Sequence, residues 1–197
     1  MGELFTSLNY EFQHFLNGED FFQLIAAHPE AVEQSACLVC DFRLPGMTGF
    51  EVFENIQTNY PQTCWSILMM TGHADVNMAV SAIKSGAFDF VTKPFDPFDL
   101  IKKIAAALQQ SKKIKTQKDF CKDFDHRHEA LTKQEKLVMK KILHNMANRE
   151  IADELEVSSR TVEIHRSNVF KKMHVSSALE LSQQYVRYVF LTESSKN

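Results

Sequence analysis

The sequence lacks an apolar run long enough to span a bilayer, and its first residues do not show the pattern of a secretory signal. We therefore expect no membrane association and a cytoplasmic location. Cysteine is also scarce, because four in 197 residues are too few for a disulfide scaffold. The remaining composition is that of an ordinary globular protein, and the length allows one large or two small domains.

Charge is unevenly distributed along the chain. Residues 1–111 hold 5 Lys/Arg and 13 Asp/Glu, a net of −8, whereas residues 112–197 hold 17 and 12, a net of +5. This asymmetry indicates two modules with different partners, and a basic module often meets nucleic acid. The alternative is a chance division of solvated charges.

The first module alternates strand and helix patterns. Period-two alternation predicts a strand at Tyr10–Phe15, and the short apolar runs in "ACLVCDF", "WSILMMTG" and "FDFVTKPF" predict buried strands. Helical patterns lie between and after them, which indicates a parallel sheet covered by helices.

Three of these strands end on polar groups, namely Asp41, Thr71 and Lys93. Parallel strands bring their carboxyl ends to one edge of a sheet, where ligands bind in such folds. A carboxylate at that edge can accept a phosphoryl group, and an ammonium and a hydroxyl can stabilise it. Cys37 and Cys40, although spaced as CxxC, point to opposite faces of a strand and are expected to be core residues.

The segments "DFRLPGMTGFE", "MMTGHADVNMAVSAIKSGAFDF" and "VTKPF" resemble the receiver domain of two-component response regulators of the FixJ/NarL type. The resemblance implies a flavodoxin-like α/β fold, Asp41 as phosphoacceptor and a sensor histidine kinase as partner. It also implies that Thr71, Phe90 and Lys93 are the switch residues.

The resemblance begins late in the receiver pattern. The first receiver strand and the acidic pair that ends it, which hold Mg²⁺ beside the aspartate, are expected to be missing. Mg²⁺ would then have only Asp41 as a protein carboxylate, so we expect metal-assisted phosphorylation to be poor. Because the family's strand order is 2-1-3-4-5, the receiver is expected to be N-terminally incomplete.

After residue 111 no strand pattern returns. Residues 112–128 are polar and weakly periodic, which indicates a linker or a helix extension, and residues 129–197 read as four helices. The first of these opens with Thr132 and Glu135 at capping-box spacing, and Ser158 or Ser159 is able to cap the third.

The segment "NREIADELEVSSRTVEIHRSNVFKKM" is the most specific part of a second resemblance, to the LuxR/NarL-type output domain. The family fold is a four-helix bundle with a helix-turn-helix. Val162, His165, Val169 and Met173 form its packed side, and His165 is interpreted as a packed or capping histidine. The opposite side would enter the major groove of double-stranded DNA.

Base contacts are then expected from Glu163, Ile164 and Ser167, with Thr161 and Arg166 nearby. Phosphate contacts are expected from Arg160, Lys171 and Lys172. The last helix carries Leu181, Tyr185, Val189 and Phe190 on one side, which is either core or, as in the resembled family, a surface for homodimerisation.

The sequence thus predicts a receiver over residues 1–111, a linker over 112–128 and an all-α DNA-binding domain over 129–197. The expected function is a DNA-binding transcriptional response regulator, without enzymatic turnover. One alternative is a protein-interaction module that titrates a signalling partner. A weaker one is a phosphatase-like enzyme with Asp41 as nucleophile, for which no second acid is placed to act as general acid.

Overall fold

A computed structural model describes residues 10–72 and 76–194, without the side chains of 76–79, and divides the chain into two units, Met1–Lys115 and Thr116–Asn197. No helix among the described residues has the length and the apolar character that crossing a membrane requires.

The first unit alternates helices and strands as the sequence predicts. Its elements are, in chain order, α1 (Gly18–Ala27), a 3₁₀ turn (Pro29–Glu33), β1 (Cys37–Asp41), α2 (Gly49–Asn59), β2 (Ser66–Thr71), α3 (Val76–Lys84), β3 (Asp89–Thr92) and the first part of α4 (Pro97–Glu129). The strands form a parallel sheet in the order β1-β2-β3, with Asp41 beside Met70 and Thr71 beside Thr92. The three predicted buried strands are therefore confirmed, and each of them is followed by a helix as predicted.

The strand predicted at Tyr10–Phe15 is wrong, because these residues form no ladder. Within the described chain β1 pairs with β2 only, so no strand lies on its other side to provide a partner. Phe12, in phase with the alternation, is 48% exposed, whereas Phe15, out of phase with it, lies against the core, where its ring meets the ring of Phe21 edge-on at 5.5 Å between centroids. The period-two pattern therefore marks neither a paired strand nor a single buried side in this segment.

The sheet separates two apolar clusters. One contains Cys40 and Met69 with side chains from α1 and α2, and the other contains Leu68 and Val91 with Leu100 and Ile104 of α4. Cys37 packs on the second cluster, so the two cysteines lie on opposite faces, as predicted. Burial raises the pKa of both thiols to about 12, and Asp41 contributes to the shift at Cys40. Both side chains are therefore neutral core thiols.

Helix α4 runs without a break from Pro97 to Glu129. The segment predicted as a linker or helix extension is thus an extension, and the boundary between the units falls at Lys115/Thr116 inside it. Ser111, fully buried, accepts a hydrogen bond from the Ala36 N–H (2.9 Å) and donates one to the Cys64 carbonyl (2.6 Å). This hydroxyl fixes α4 to the segments that precede β1 and β2.

The second unit contains the end of α4 and four further helices, the number predicted: α5 (Lys133–Leu143), α6 (Asn148–Leu155), α7 (Ser159–Lys172) and α8 (Ala178–Ser194). The predicted capping box is confirmed, because the Glu135 N–H donates to Thr132 Oγ1 (3.3 Å) and the Thr132 N–H to Glu135 Oε2 (2.8 Å). Of the two candidate serines, Ser158 caps α7. Glu156 adopts a left-handed conformation (φ 54°) that ends α6.

The core of the second unit confirms the predicted phase of α7 and also contains the inner side of α6. Ile151, Val162, Val169 and Met173 are all fully buried in it. Phe124, from the last turns of α4, is buried in the same core and stacks on Tyr188 of α8 with 4.4 Å between ring centroids. The end of α4 is therefore a structural part of this unit.

The hydroxyl of Ser111 provides a test of the first unit. Ser111→Ala leaves a donor and an acceptor without their partner, so we expect a loss of about 2 kcal/mol in unfolding free energy. Trp65 is the sole tryptophan and contacts Phe21 in the core, so its fluorescence during urea titration reports this unit. Ser85→Ala, at an exposed serine, is the control. Equal midpoints for the two variants would contradict the assignment.

Candidate functional site

Asp41 ends β1 where helix α2 comes unusually close to the strand. The Gly49 N–H donates to the Phe42 carbonyl (3.1 Å), and a Cβ at Gly49 would lie 2.0 Å from the Asp41 carbonyl oxygen. Only glycine fits this approach. Asp41 Oδ1 accepts a hydrogen bond from the Arg43 N–H (3.1 Å), so the turn that follows β1 orients the carboxylate.

Lys93 is brought to the same edge by β3. Its N–H donates to the Thr71 carbonyl (2.7 Å), which extends the β2–β3 ladder by one step, and its ammonium forms an ion pair with Asp41 Oδ2. Both side chains are partly exposed, so the pair lies at the surface of the unit. The structure thus joins the predicted phosphoacceptor to the predicted lysine, as the parallel topology requires.

Thr71 and Phe90 lie on the same two strands but are less accessible. The Thr71 side chain is fully buried, and its hydroxyl donates to the Gly72 carbonyl (3.0 Å). Phe90 is half-buried and packs against the core cluster that contains Met69, its partner in the β2–β3 register. Both side chains are therefore held in packed positions on β2 and β3.

Asp41 is the one residue at this edge that the sequence predicts as a magnesium ligand. Among the described residues, no group of three His, Cys, Asp or Glu side chains is placed to hold a metal ion. Asp20, one of two acids that open α1, donates its backbone N–H to the Asn17 side chain that caps that helix (2.8 Å). Asp41 itself forms an ion pair with Lys93 and accepts a hydrogen bond from the Arg43 N–H.

Helix α7 presents a polar surface opposite its buried side. Its outward side chains include Ile164, which is 55% exposed, and the predicted contacts Arg160, Glu163, Ser167 and Lys171, all of them exposed. Ile164 is the apolar member of this outward-facing set.

Two further predicted residues have contacts within the helix. Thr161 donates its N–H to Ser158 Oγ (3.1 Å), and the hydroxyl groups of the two residues are 2.8 Å apart. Arg166 is half-buried, with its guanidinium carbon 5.6 Å from the centre of the Phe170 ring. Both therefore lie beside the outward face rather than at its centre.

Lys172, predicted to contact phosphate, is engaged inside the unit. Its ammonium donates to Glu135 Oε2 (2.7 Å) and to the Ala130 carbonyl (3.2 Å). Burial alone would raise the pKa of Glu135, but hydrogen bonds from Lys172 and Thr132 and the Lys172 charge hold that pKa below its ordinary value. The buried carboxylate is therefore ionised near neutral pH, and Lys172 balances it.

His165 is partly buried, and its Nδ1 has no hydrogen-bond partner among the described residues. The ring is thus in a packed position, in agreement with the interpretation from helical phase.

Helix α8 carries an exposed apolar stripe formed by Leu179, Val186 and Phe190, of which the last two are 66% and 69% exposed. Leu181, predicted on the same side as Phe190, is instead fully buried in the core. Tyr185 and Val189 lie between the two, with Tyr185 near the stripe at 38% exposure. One side of α8 is therefore core and the adjacent side is an open apolar surface.

Sequence reasoning missed two residues of the second unit. Glu135 was assigned only to the capping box, although it is also buried and forms an ion pair with Lys172. Arg127 was placed in a polar segment predicted as a linker or helix extension, although it is buried in the second unit. The available signal was the spacing of Phe120, Phe124 and Arg127, which is i, i+4 and i+7 and marks one side of a helix.

Two known protein families match the chain, one within each of the two structural units. Residues 1–105 match the family described as response regulator receiver domain, and residues 129–184 match bacterial regulatory proteins of the luxR family. The region between the two matches lies within α4.

Similar proteins have related descriptions. The chain is 39% identical over 145 residues to response regulator protein TmoT of Ectopseudomonas mendocina, covering 74% of this chain and 65% of that protein. It is 36% identical over 157 residues to transcriptional regulatory protein FixJ of Bradyrhizobium diazoefficiens, covering 80% and 76%. The chain therefore spans about two thirds to three quarters of these relatives.

The solved structure of response regulator StyR is similar to this chain, with a TM-score of 0.81, 30% identity and coverage of 94% of this chain and 90% of that one. Full-length FixJ from B. japonicum matches with a TM-score of 0.54 and 31% identity. These matches are consistent with the parallel sheet that has Asp41 and Lys93 at its edge and with the helical second unit. The chain belongs to the response regulators that join a receiver domain to a LuxR-type domain.

Proposed function

We propose that the chain is a DNA-binding transcriptional regulator whose receiver unit controls its helix-turn-helix unit. The observation that carries this proposal is the division of α7 into two sides. Val162, Val169 and Met173 are buried, while Glu163 and Ile164 face outward. A helix held in this way by its core presents a fixed row of side chains to the major groove.

Within this row the roles differ by chemistry. Glu163 is suited to accept a hydrogen bond from a cytosine amino group, and Ile164 to contact a thymine methyl group. Ser167 extends the same side by one turn. Arg160 and Lys171 supply phosphate contacts at the flanks, which position the helix but carry no sequence information.

At the receiver, we propose that Asp41 is the phosphoacceptor and that a sensor histidine kinase supplies the phosphoryl group. Lys93 is already ion-paired with Asp41 and would neutralise part of the added charge of about −2. Rotation of Thr71 and Phe90 would then carry the signal. Mg²⁺ would then be held by Asp41 together with water and phosphate oxygens, so we expect transfer to be inefficient. No enzymatic turnover is assigned to the chain.

The absence of a metal-binding cluster among the described residues also supports a second candidate function, that of a protein-interaction module that binds or titrates a signalling partner with weak or no DNA binding. Salt-dependent binding to duplex DNA distinguishes the two functions, because phosphate contacts release condensed counterions.

The two adjacent lysines of α7 make that test specific. We expect Lys171→Met to lower the magnitude of the slope of log K against log salt by about 0.9, because one phosphate contact is lost. We expect Lys172→Met to keep the slope but to lower the unfolding free energy by about 2 kcal/mol, since Glu135 loses its cation. Fluorescence anisotropy with a labelled duplex gives the slope, and thermal unfolding gives the stability.

Affinity for duplex DNA that does not change with salt, or no binding by the unmodified chain, would reject the DNA-binding function. An equal fall of the slope in both lysine variants would reject the separate roles of the two residues.

Phosphorylation of Asp41 provides a second test. Acetyl phosphate with millimolar Mg²⁺ is expected to modify only a small fraction of the chain, because the described residues supply no cluster of metal-binding acids. Intact-mass spectrometry measures the phosphorylated fraction, and Asp41→Asn is the control. Rapid labelling that requires Mg²⁺ and disappears in Asp41→Asn would show that this expectation is wrong.

The apolar stripe of α8 leads to a third test. We propose that it forms the interface of a homodimer, so Phe190→Glu should raise the dimer dissociation constant about tenfold or more by placing a charge in that interface. Leu137→Glu is the matched control, because Leu137 is an exposed apolar residue of α5. Sedimentation equilibrium measures both. If both changes raise the dissociation constant equally, or if neither raises it, α8 does not form the dimer interface.

A further inference from the structure

Arg127, near the end of α4, is the one lysine or arginine that is buried among the described residues, with 7% of its surface exposed. It precedes the segment that matches the LuxR-type family, which begins at residue 129. A buried guanidinium is costly unless its donors are satisfied, so its partners show what the position requires.

The guanidinium has partners on three helices. Its Nη2 forms an ion pair with Asp123 Oδ2 (2.9 Å), one turn earlier in α4. Its Nη1 donates to Gln184 Oε1 of α8 (3.1 Å) and to the main-chain carbonyl of Met173. Phe124 lies beside it, with the guanidinium carbon 5.9 Å from the ring centre.

Met173 is the residue at which α7 ends. The last carbonyls of a helix have no partner within the helix and carry the negative end of its dipole, so a cation there satisfies both. The next residue, His174, turns into the left-handed conformation (φ 54°) and takes the chain away from α7. Arg127 therefore caps the carboxyl end of the helix that we assign to DNA reading.

A second cation completes this connection in the opposite direction. Lys172 of α7 donates to the carbonyl of Ala130, the residue after α4 ends (Glu129). Arg127 of α4 thus donates to the main-chain carbonyl of Met173 at the carboxyl end of α7, and Lys172 of α7 donates to that of Ala130 at the carboxyl end of α4. Two such contacts restrain both the position and the tilt of α7 relative to the end of α4 in this unit.

We propose that Arg127 is a positioning residue for base recognition, which fixes the carboxyl end of α7 without contacting DNA. This inference rests on the proposed DNA binding. Side chains read base edges only when their backbone is held in place by the contacts beneath them. Loss of the Arg127 contacts therefore loosens the end of α7 while Arg160 and Lys171 keep their charges, so discrimination between DNA sequences falls and the number of neutralised phosphates stays the same.

The first experiment needs no DNA. In the full chain, Arg127→Met retains a side chain of similar length and its packing on Phe124 but removes every donor. Arg187→Met is the charge-matched control, because Arg187 is exposed and its guanidinium carbon lies 4.1 Å from the centre of the Phe120 ring of α4.

Hydrogen exchange followed by mass spectrometry should show amides at Met173–Val175 exchanging about tenfold faster in Arg127→Met, with α6 unchanged, because opening is local. The control should match the unmodified chain. No change at Met173–Val175, or an equal increase across α5, α6 and α7, would overturn the proposal, the latter by showing a general loss of stability.

The second experiment measures discrimination. A duplex selected from a random library by the unmodified chain is compared with a shuffled duplex of the same composition. Arg127→Met should reduce the ratio of the two affinities about tenfold, as expected for weakened base readout, while the salt slope stays unchanged. A slope reduced by about 0.9 would identify Arg127 as a phosphate contact and overturn the proposal.

The two readouts also separate this proposal from the proposed function. If the unmodified chain binds neither duplex, the DNA-binding function fails, and hydrogen exchange alone decides whether Arg127 holds the end of α7. If the chain discriminates between duplexes and Arg127→Met does so equally well, the positioning role fails and DNA binding stands.

Discussion

The feature on which both units depend is the continuous helix α4. Leu100, Ile104 and Ser111 of this helix are buried in the first unit, and Phe124 and Arg127 are buried in the second. Without its first part the sheet would lose the cover of one face. Without its last turns α7 would lose the cap at Met173. One helix therefore completes two cores, although no family match includes its middle.

This double role explains which parts of the fold could be predicted. The three strands, the four helices after residue 131, the caps at Thr132 and Ser158 and the buried phase of α7 follow from short patterns, because local spacing determines each of them. The extent of α4 could not be decided in this way. Its apolar residues serve two cores in turn, and the spacing of Phe120, Phe124 and Arg127 marks a buried side without showing where the helix begins or ends.

Among the site residues, too, those placed by local pattern and topology were predicted, and those placed by long-range packing were not. Asp41 and Lys93 were predicted together because parallel topology brings strand ends to one edge, whatever the details of packing. The role of Lys172 could not be read from its position in α7. Its ammonium is drawn inward by Glu135, and that carboxylate is recognisable as buried only once the packing of α5 on α7 is known. Long-range ion pairs of this kind leave no periodic signal.

Ion pairs within the second unit also limit how far its net charge predicts binding to DNA. The C-terminal part has a net charge of +5, yet Arg127, Lys141 and Lys172 are each paired with a carboxylate inside the second unit. On the proposed DNA-binding side, the positive charge is therefore carried by fewer groups, chiefly the exposed Arg160 and Lys171 of α7. A single copy with few phosphate contacts binds weakly at physiological salt, since each contact contributes its own counterion release. Two copies joined through the α8 stripe would double these contacts on one duplex, which gives the exposed Val186 and Phe190 a physical reason to be apolar.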